Sequence, residues 1–436
     1  MTASKWIAGI GVTAAAIAIG LYSYGAKAAD LGGDCCADLE SRIAELEVST
    51  ARKGNRKVSL QISGFVSHTI MRWDDGGQSD TYIGDGGMNS SRFRITGTAR
   101  VNPDVTAGFT YEFGINNNAI GSMNQLGGGD DLGGAVILRD STVWMQHKTL
   151  GKVKIGYGST ATDNLILLDL SNAGVAASAD PALWNGGFML RSKAANGLVP
   201  VTWANMLNQG VSFDTARRNH VLYETPTLAG FSVQGAIAED NFWDAALRYA
   251  GEFGGVRVAG AVGYSVDGEA PLFHPLAPLA FTGLPATEIK TAVAALSVMH
   301  VPSGLFLTAA GGQRETGFKI TGGASSLSAK DSQFWHVMAG IQQNWTGLGA
   351  TTVYAEYHEA KDMIGFSTVN LFGIDVSSKA NVLGFGVVQK IDAADLDVWA
   401  AYKAYSGDVD LKSSFGNGSL GVQDFSTVMA GIKLSF

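Results

Sequence analysis

The stretch Thr427-Val428-Met429-Ala430-Gly431-Ile432-Lys433-Leu434-Ser435-Phe436 decides the fold. Val428, Ala430, Ile432, Leu434 and Phe436 take every second place, and smaller or more polar residues take most of the others. A period of two predicts a strand with one apolar and one wetter face. With an aromatic as its last residue, the pattern fits the closing strand of a transmembrane β-barrel, lipid on one side and water on the other. Phe436 is therefore read as the barrel-closure signal. In a closed barrel the first and last strands pair, so the strand opening at Val58 is expected beside it.

Composition supports a barrel. Gly is 57 of 436 residues and Pro only 9, while charged residues are 16%, below the roughly 25% of an average domain. Mean hydropathy is +0.11, yet past the N-terminus no stretch reads as a spanning helix. Apolar residues spread over alternating strands reconcile the two. The formal charge of −8 and the lack of a basic run argue against a nucleic-acid partner.

Alternation starts at Val58 and repeats. Val58, Leu60, Ile62, Val66 and Ile70 share one phase; Phe93, Ile95, Ala99 and Val101 share another, with Arg92, Arg94 and Arg100 opposite. A third strand runs from Val105 to Ile115 with Glu112 in the polar phase. Short links, such as 102–104, 149–151 and 391–395, alternate with long ones at 74–90, 116–137, 160–217, 267–288, 315–331, 361–379 and 407–423. Seven long loops, a short eighth at 239–241 and seven short turns predict about sixteen antiparallel strands over 58–436, wide enough for an aqueous channel.

The N-terminus reads as an export signal. Lys5 precedes an uncharged run and then Ala26-Lys27-Ala28, a small-x-small cleavage pattern, so residues 1–29 are expected to be a cleaved signal peptide. An uncleaved anchor is the alternative. Residues 30–57 form a leader. Within it, Leu39, Ile43 and Leu46 fall on a helical seam, predicting a short coiled-coil helix over 37–50; a charged, unstructured leader is the other reading. Cys35 and Cys36 are adjacent and cannot staple a chain of this length. They suit a link between chains, a strained vicinal bridge or no role.

Enzyme chemistry finds no support. The seven His are scattered without a metal-ligand spacing, and there is no nucleophile elbow or phosphate loop. The glycine-rich 127–134, with Asp130 and Asp131, has too few ligands for a calcium loop. No cofactor or metal is expected.

Three stretches carry a resemblance: NHVLYETPTLAGF at 219–231, GFGVVQKIDAADLDVWAAYKAYSG at 384–407, and the leader CCADLESRIAELEVSTARKGNRKVSLQISG at 35–64. They resemble the general porins of alphaproteobacteria, and the likeness extends over the chain beyond the signal. The resemblance implies a homotrimeric, 16-stranded barrel of the bacterial outer membrane that passes small hydrophilic solutes and ions. Its partners would be outer-membrane lipid and lipopolysaccharide, with the barrel-assembly machinery reading the C-terminal strand. It also implies that the third long loop folds inward.

The residues of that loop agree. At 160–217 it is far longer than the roughly 15 residues above which loops usually have a function. It is also too apolar to stand in water, with Leu165, Ile166, Leu168, Trp184, Phe188 and Trp203 among many. A working pore needs charges at its narrowest point. The basic candidates are Arg92, Arg94, Arg100, Arg139, Lys152 and Lys154, with Arg218, Arg248 and Arg257 behind them. The acidic candidates are Glu112 on the wall and Asp163, Asp169 and Asp180 on the loop. A substrate-selective channel for a sugar, an anion or an organic acid is the rival reading, as is an envelope-tethering structural barrel.

Overall fold

The computed structural model describes residues 57–87, 90–128, 134–209, 212–214, 217–270, 287–317, 319–322, 325–369 and 373–436. The signal peptide, the two cysteines, the leader helix and most of 127–134 lie outside them. No described helix is long and apolar enough to cross a membrane.

The wall is a closed antiparallel barrel of 16 strands, as the alternation predicts. In chain order these are β1 (Ser59–Asp74), β2 (Arg92–Arg100), β3 (Val105–Asn117), β4 (Gly134–His147), β5 (Gly151–Gly158) and β6 (Arg218–Glu224). Next come β7 (Phe231–Ala238), β8 (Trp243–Phe253), β9 (Val256–Ala270), β10 (Thr287–His300) and β11 (Leu305–Thr316). The last five are β12 (Ser332–Gln343), β13 (Thr351–Lys361), β14 (Asp375–Ile391), β15 (Leu396–Ser413) and β16 (Phe425–Ser435). Each pairs with its chain neighbours, and β1 pairs with β16 to shut the ring.

Closure differs from expectation in register. Phe436 lies opposite Gly64, not Val58, with reciprocal backbone bonds of 2.9 Å in each direction. The start of β1 runs past the end of β16: Ser59–Ser63 pair with β2 and lie beyond the β16 register. A Cβ on Gly64 would sit 2.8 Å from the Phe436 ring, so only glycine lets the terminal ring lie there.

One face of each strand is lipid-facing in character. Along β16, Val428, Ile432, Leu434 and Phe436 are exposed outward, while Thr427 and Met429 are buried inward. On β2 and β3 the outer face carries a ladder of rings: Phe93 on Phe113 at 5.1 Å and Tyr111 on Phe113 at 6.3 Å. Trp335 and Trp345 are outwardly exposed, near strand ends, where aromatic girdles sit.

The long loops are partly strand. Ser79–Asp85 folds back on β1, Gly416–Gly421 extends the β15 side, and Ser325–Ala329 pairs with Phe366–Val369. Several loops predicted from sequence are thus hairpins that lengthen the wall at the loop end.

Candidate pore constriction

The register of β2 on β3 sets Arg94 opposite Glu112 and Arg92 opposite Gly114, all pointing inward. Glu112 is buried and gathers three guanidiniums. The Arg94 Nε donates to its Oε2 at 2.9 Å, the Arg139 Nε to its Oε1 at 2.8 Å, and the Arg92 Nη1 stands 3.5 Å from Oε1.

Arg139 reaches the cluster through a β-bulge. The β3–β4 register shifts between Glu112 and Phe113: Glu112 faces Asp140, and Phe113 faces Leu138. Arg139 is the extra residue. Counted by twos from the exposed Val143 and Met145, it belongs outside; the bulge turns it inward.

Further along the same wall, the Lys154 Nζ is 2.8 Å from Asp140, and the Lys152 ammonium lies 5.1 Å from the centre of the Trp144 ring. Lys152 faces Glu224 across the β5–β6 ladder. Arg218 pairs with Asp267 and covers the Phe242 ring at 4.4 Å. Arg100 and Arg257 sit apart at the turn end, Arg100 on the Asn102 carbonyl and Arg257 on Glu252 at 3.0 Å.

The loop 160–217 fills the opposite side. It starts pinned to β8: the Asp244 carboxylate accepts from the Thr162 N–H and Oγ1, both at 2.7 Å, and the Arg248 Nη2 donates to the Ala161 carbonyl at 2.6 Å. Asn164 and Asn172, both left-handed at φ 62° and 60°, start the short turns Leu165–Leu167 and Ala173–Val175. Asn tolerates that conformation better than most residues. The chain then follows the wall. The Leu170 N–H donates to Ser297 on β10 at 3.2 Å, Thr352 on β13 donates to the Ser171 carbonyl at 2.7 Å, and Asn172 donates to Asp397 on β15 at 2.9 Å.

At the far side, aromatic contacts take over. Trp184 meets Trp399 at 5.5 Å, edge to face, and Phe188 packs between Trp73 and Phe425 at 5.1 and 4.8 Å. Trp399 itself lies across Gly431, where a Cβ would be 2.3 Å from the indole. The buried Lys403–Glu356 pair lies beneath Trp184. A hairpin, Met189–Arg191 with Leu198–Thr202, ends in a capping box: Thr202 and Asn205 exchange bonds and start the helix Trp203–Asn208. Arg191 clamps Asp75 with two bonds of 3.0 Å. Burial works against the charge on Asp75, but the Arg191 guanidinium and nearby amides hold its carboxyl below the usual range. The loop returns past Arg314, which donates to the Asn208 carbonyl at 3.3 Å and covers Phe213 at 4.4 Å.

The inner face of β8 to β16 is therefore largely covered. The inner faces of β2 to β5 are less so: the Arg94 side chain is 39% exposed and Arg92 16%.

The loop acids are placed differently from the wall cations. Asp163 stands 3.6 Å from the Arg217 Nη2, at the loop's two roots. Asp169 folds its own turn, accepting from the Ser171 N–H at 2.8 Å and the Gly174 N–H at 2.9 Å. Asp180 is buried inside the loop, where Asn208 donates to it at 2.9 Å, and burial pushes its carboxyl up. Asp214 is buried too; desolvation, with Asp163 close by, raises it to about 7. The structure thus brings Arg92, Arg94, Arg139 and Glu112 together, with Lys152 and Lys154 alongside. Asp169 and Asp180 are held within the loop's own fold.

Sequence reasoning missed Arg217, Asp140, Asp244 and the Arg191–Asp75 clamp. Asp140 and Asp244 were findable, since each keeps the inward phase of its strand. Arg191 was not, because its partner is more than a hundred residues away.

A family model described as Gram-negative porin matches residues 13–410. No curated protein matches the chain. Among solved structures, the chain is similar to OmpT of Vibrio cholerae at 14% identity and TM-score 0.52, covering 88% of this chain and 99% of that one. It is similar to the anion-selective porin of Comamonas acidovorans at 17% identity and TM-score 0.52, covering 87% and 100%. It is similar to OmpF of Salmonella typhi, solved with daunomycin, at 13% identity and TM-score 0.51, covering 87% and 98%.

Proposed function

The chain belongs to the Gram-negative porin family, outer-membrane channels for passive diffusion, and from that premise we propose that its pore narrows between loop 160–217 and the arginine wall. The observation that carries this is the division of the lumen. The loop's apolar side chains cover the inner face of β8 to β16, and the groups left facing it are Arg92, Arg94 and Arg139 around Glu112, with Lys152 and Lys154 beyond. Charges held at such a point order polar solutes and disfavour apolar ones, whose passage disrupts hydration.

The finer features belong to the same proposal: a general porin of alphaproteobacterial type, a cleaved signal peptide over residues 1–29, a leader 30–57 with a short coiled-coil helix, and a homotrimer. The outward phase of β1 favours protein contact there. It carries the exposed His68 between the exposed Val66 and Ile70, a polar group set among lipid-facing residues. Lipopolysaccharide and the assembly machinery are the expected envelope partners.

A planar-bilayer recording tests the reading. A trimeric porin gives ohmic current in triplet steps, and silence sinks it. Saturation by one solute would favour the substrate-selective reading. If deleting residues 30–57 leaves conductance intact while cells bleb, the tether is the main role.

A further inference from the structure

We propose that this pore prefers anions, and that small oxyanions bearing carboxylate or phosphate are its favoured charged solutes. The inference rests on the reading that the arginine wall borders the open lumen. It follows from how the acids are distributed.

On the wall from β4 to β9, acids and bases match. Asp140 has Lys154, Asp163 has Arg217, Asp267 has Arg218, and Glu224 faces Lys152 in register. The buried couples match as well: Glu356 with Lys403, and Asp397 with Lys433 at 3.0 Å. The cluster on β2 to β4 does not balance. Among the described residues one carboxylate, Glu112, serves both Arg94 and Arg139, with Arg92 3.5 Å away as well, which leaves at least one positive charge in excess.

Exposure sharpens the imbalance. The Glu112 side chain is 5% exposed, while those of Arg94, Arg92 and Arg139 are 39%, 16% and 15% exposed. A passing ion meets guanidinium edges with the carboxylate behind them. The loop does not supply the missing acids, since Asp169 is bonded into its own turn and Asp180 and Asp214 are buried. The net charge of −8 belongs to the whole chain, whereas selectivity follows the field at the narrow point. Guanidiniums also offer paired donors that match the two oxygens of a carboxylate or phosphate.

The test is the reversal potential of the full-length wild type in a KCl gradient, beside Glu112→Gln, Arg94→Gln and Lys152→Gln. The wild type should show an anion-to-cation permeability ratio above one. Glu112→Gln should raise it, and the other two should lower it, each by about two-fold, the effect of one charge acting across about 10 Å of water. Gln keeps the size and an acceptor at position 112, and triplet steps in the same record establish that each variant has assembled. Lys152→Gln lies outside the Glu112 cluster and serves if the cluster variants do not insert. Ohmic current reversing at zero or toward cations would overturn the anion preference alone. A silent wild type would overturn the channel reading as well.

Discussion

Arg191 and Asp75 are both nearly buried, with side chains 8% and 3% exposed. Removing one member of such a pair leaves the other charge stranded, at a cost of about 3–5 kcal/mol. Asp75→Ala should therefore free the 189–202 hairpin while the barrel stays closed. Hydrogen exchange reads this directly: amides of 189–202 should lose protection while those of β16 keep theirs, and unchanged protection would show the clamp to be dispensable. Residues differ in how legible they are. Arg92 and Arg94 were readable because alternation along β2 is unbroken and an arginine does not belong in lipid. The inward turn of Arg139 depends on a bulge that alternation by itself does not reveal. Asp180 looked like a pore acid because its burial comes from Asn208 and the returning loop, which no local pattern encodes.

At the scale of elements, the strands were legible throughout and the loop only in outline. A strand's facing follows from a period of two, and the turn positions set where it stops. The loop's length and apolar content showed that it must be covered. Its path did not follow, because it is set by single contacts such as Asn172 with Asp397 and Trp184 with Trp399. One consequence concerns pH. Asp214, near the loop's second root, titrates at about 7 instead of near 3.8, so the folded loop holds its proton more tightly than the unfolded chain does. Stability from this group is then fullest below about pH 4 and is lost as pH rises through 7. Loop docking should weaken from mildly acidic to mildly alkaline pH, and Asp214→Asn should flatten that trend. Current noise recorded between pH 5 and pH 9, read with loop hydrogen exchange, checks it. Equal pH dependence in wild type and variant would remove Asp214 from the account.

For the whole molecule, family membership and the closed ring agree on a channel, and under the proposed constriction the loop decides how wide it is. Deleting 173–208 and joining the ends with a short flexible linker should raise single-channel conductance severalfold; an unchanged conductance would place the narrow point elsewhere. The same deletion exposes a mechanical side of the loop. It is fastened to β8 through Asp244 and Arg248, to β15 through Tyr405, and beside β1 through Asp75. A hoop tied at several stations across its bore resists being squeezed into an oval, as a spoked rim does. Lateral pressure in a crowded bilayer would flatten an empty hoop and vary its cross-section, whereas this one keeps its bore round under load.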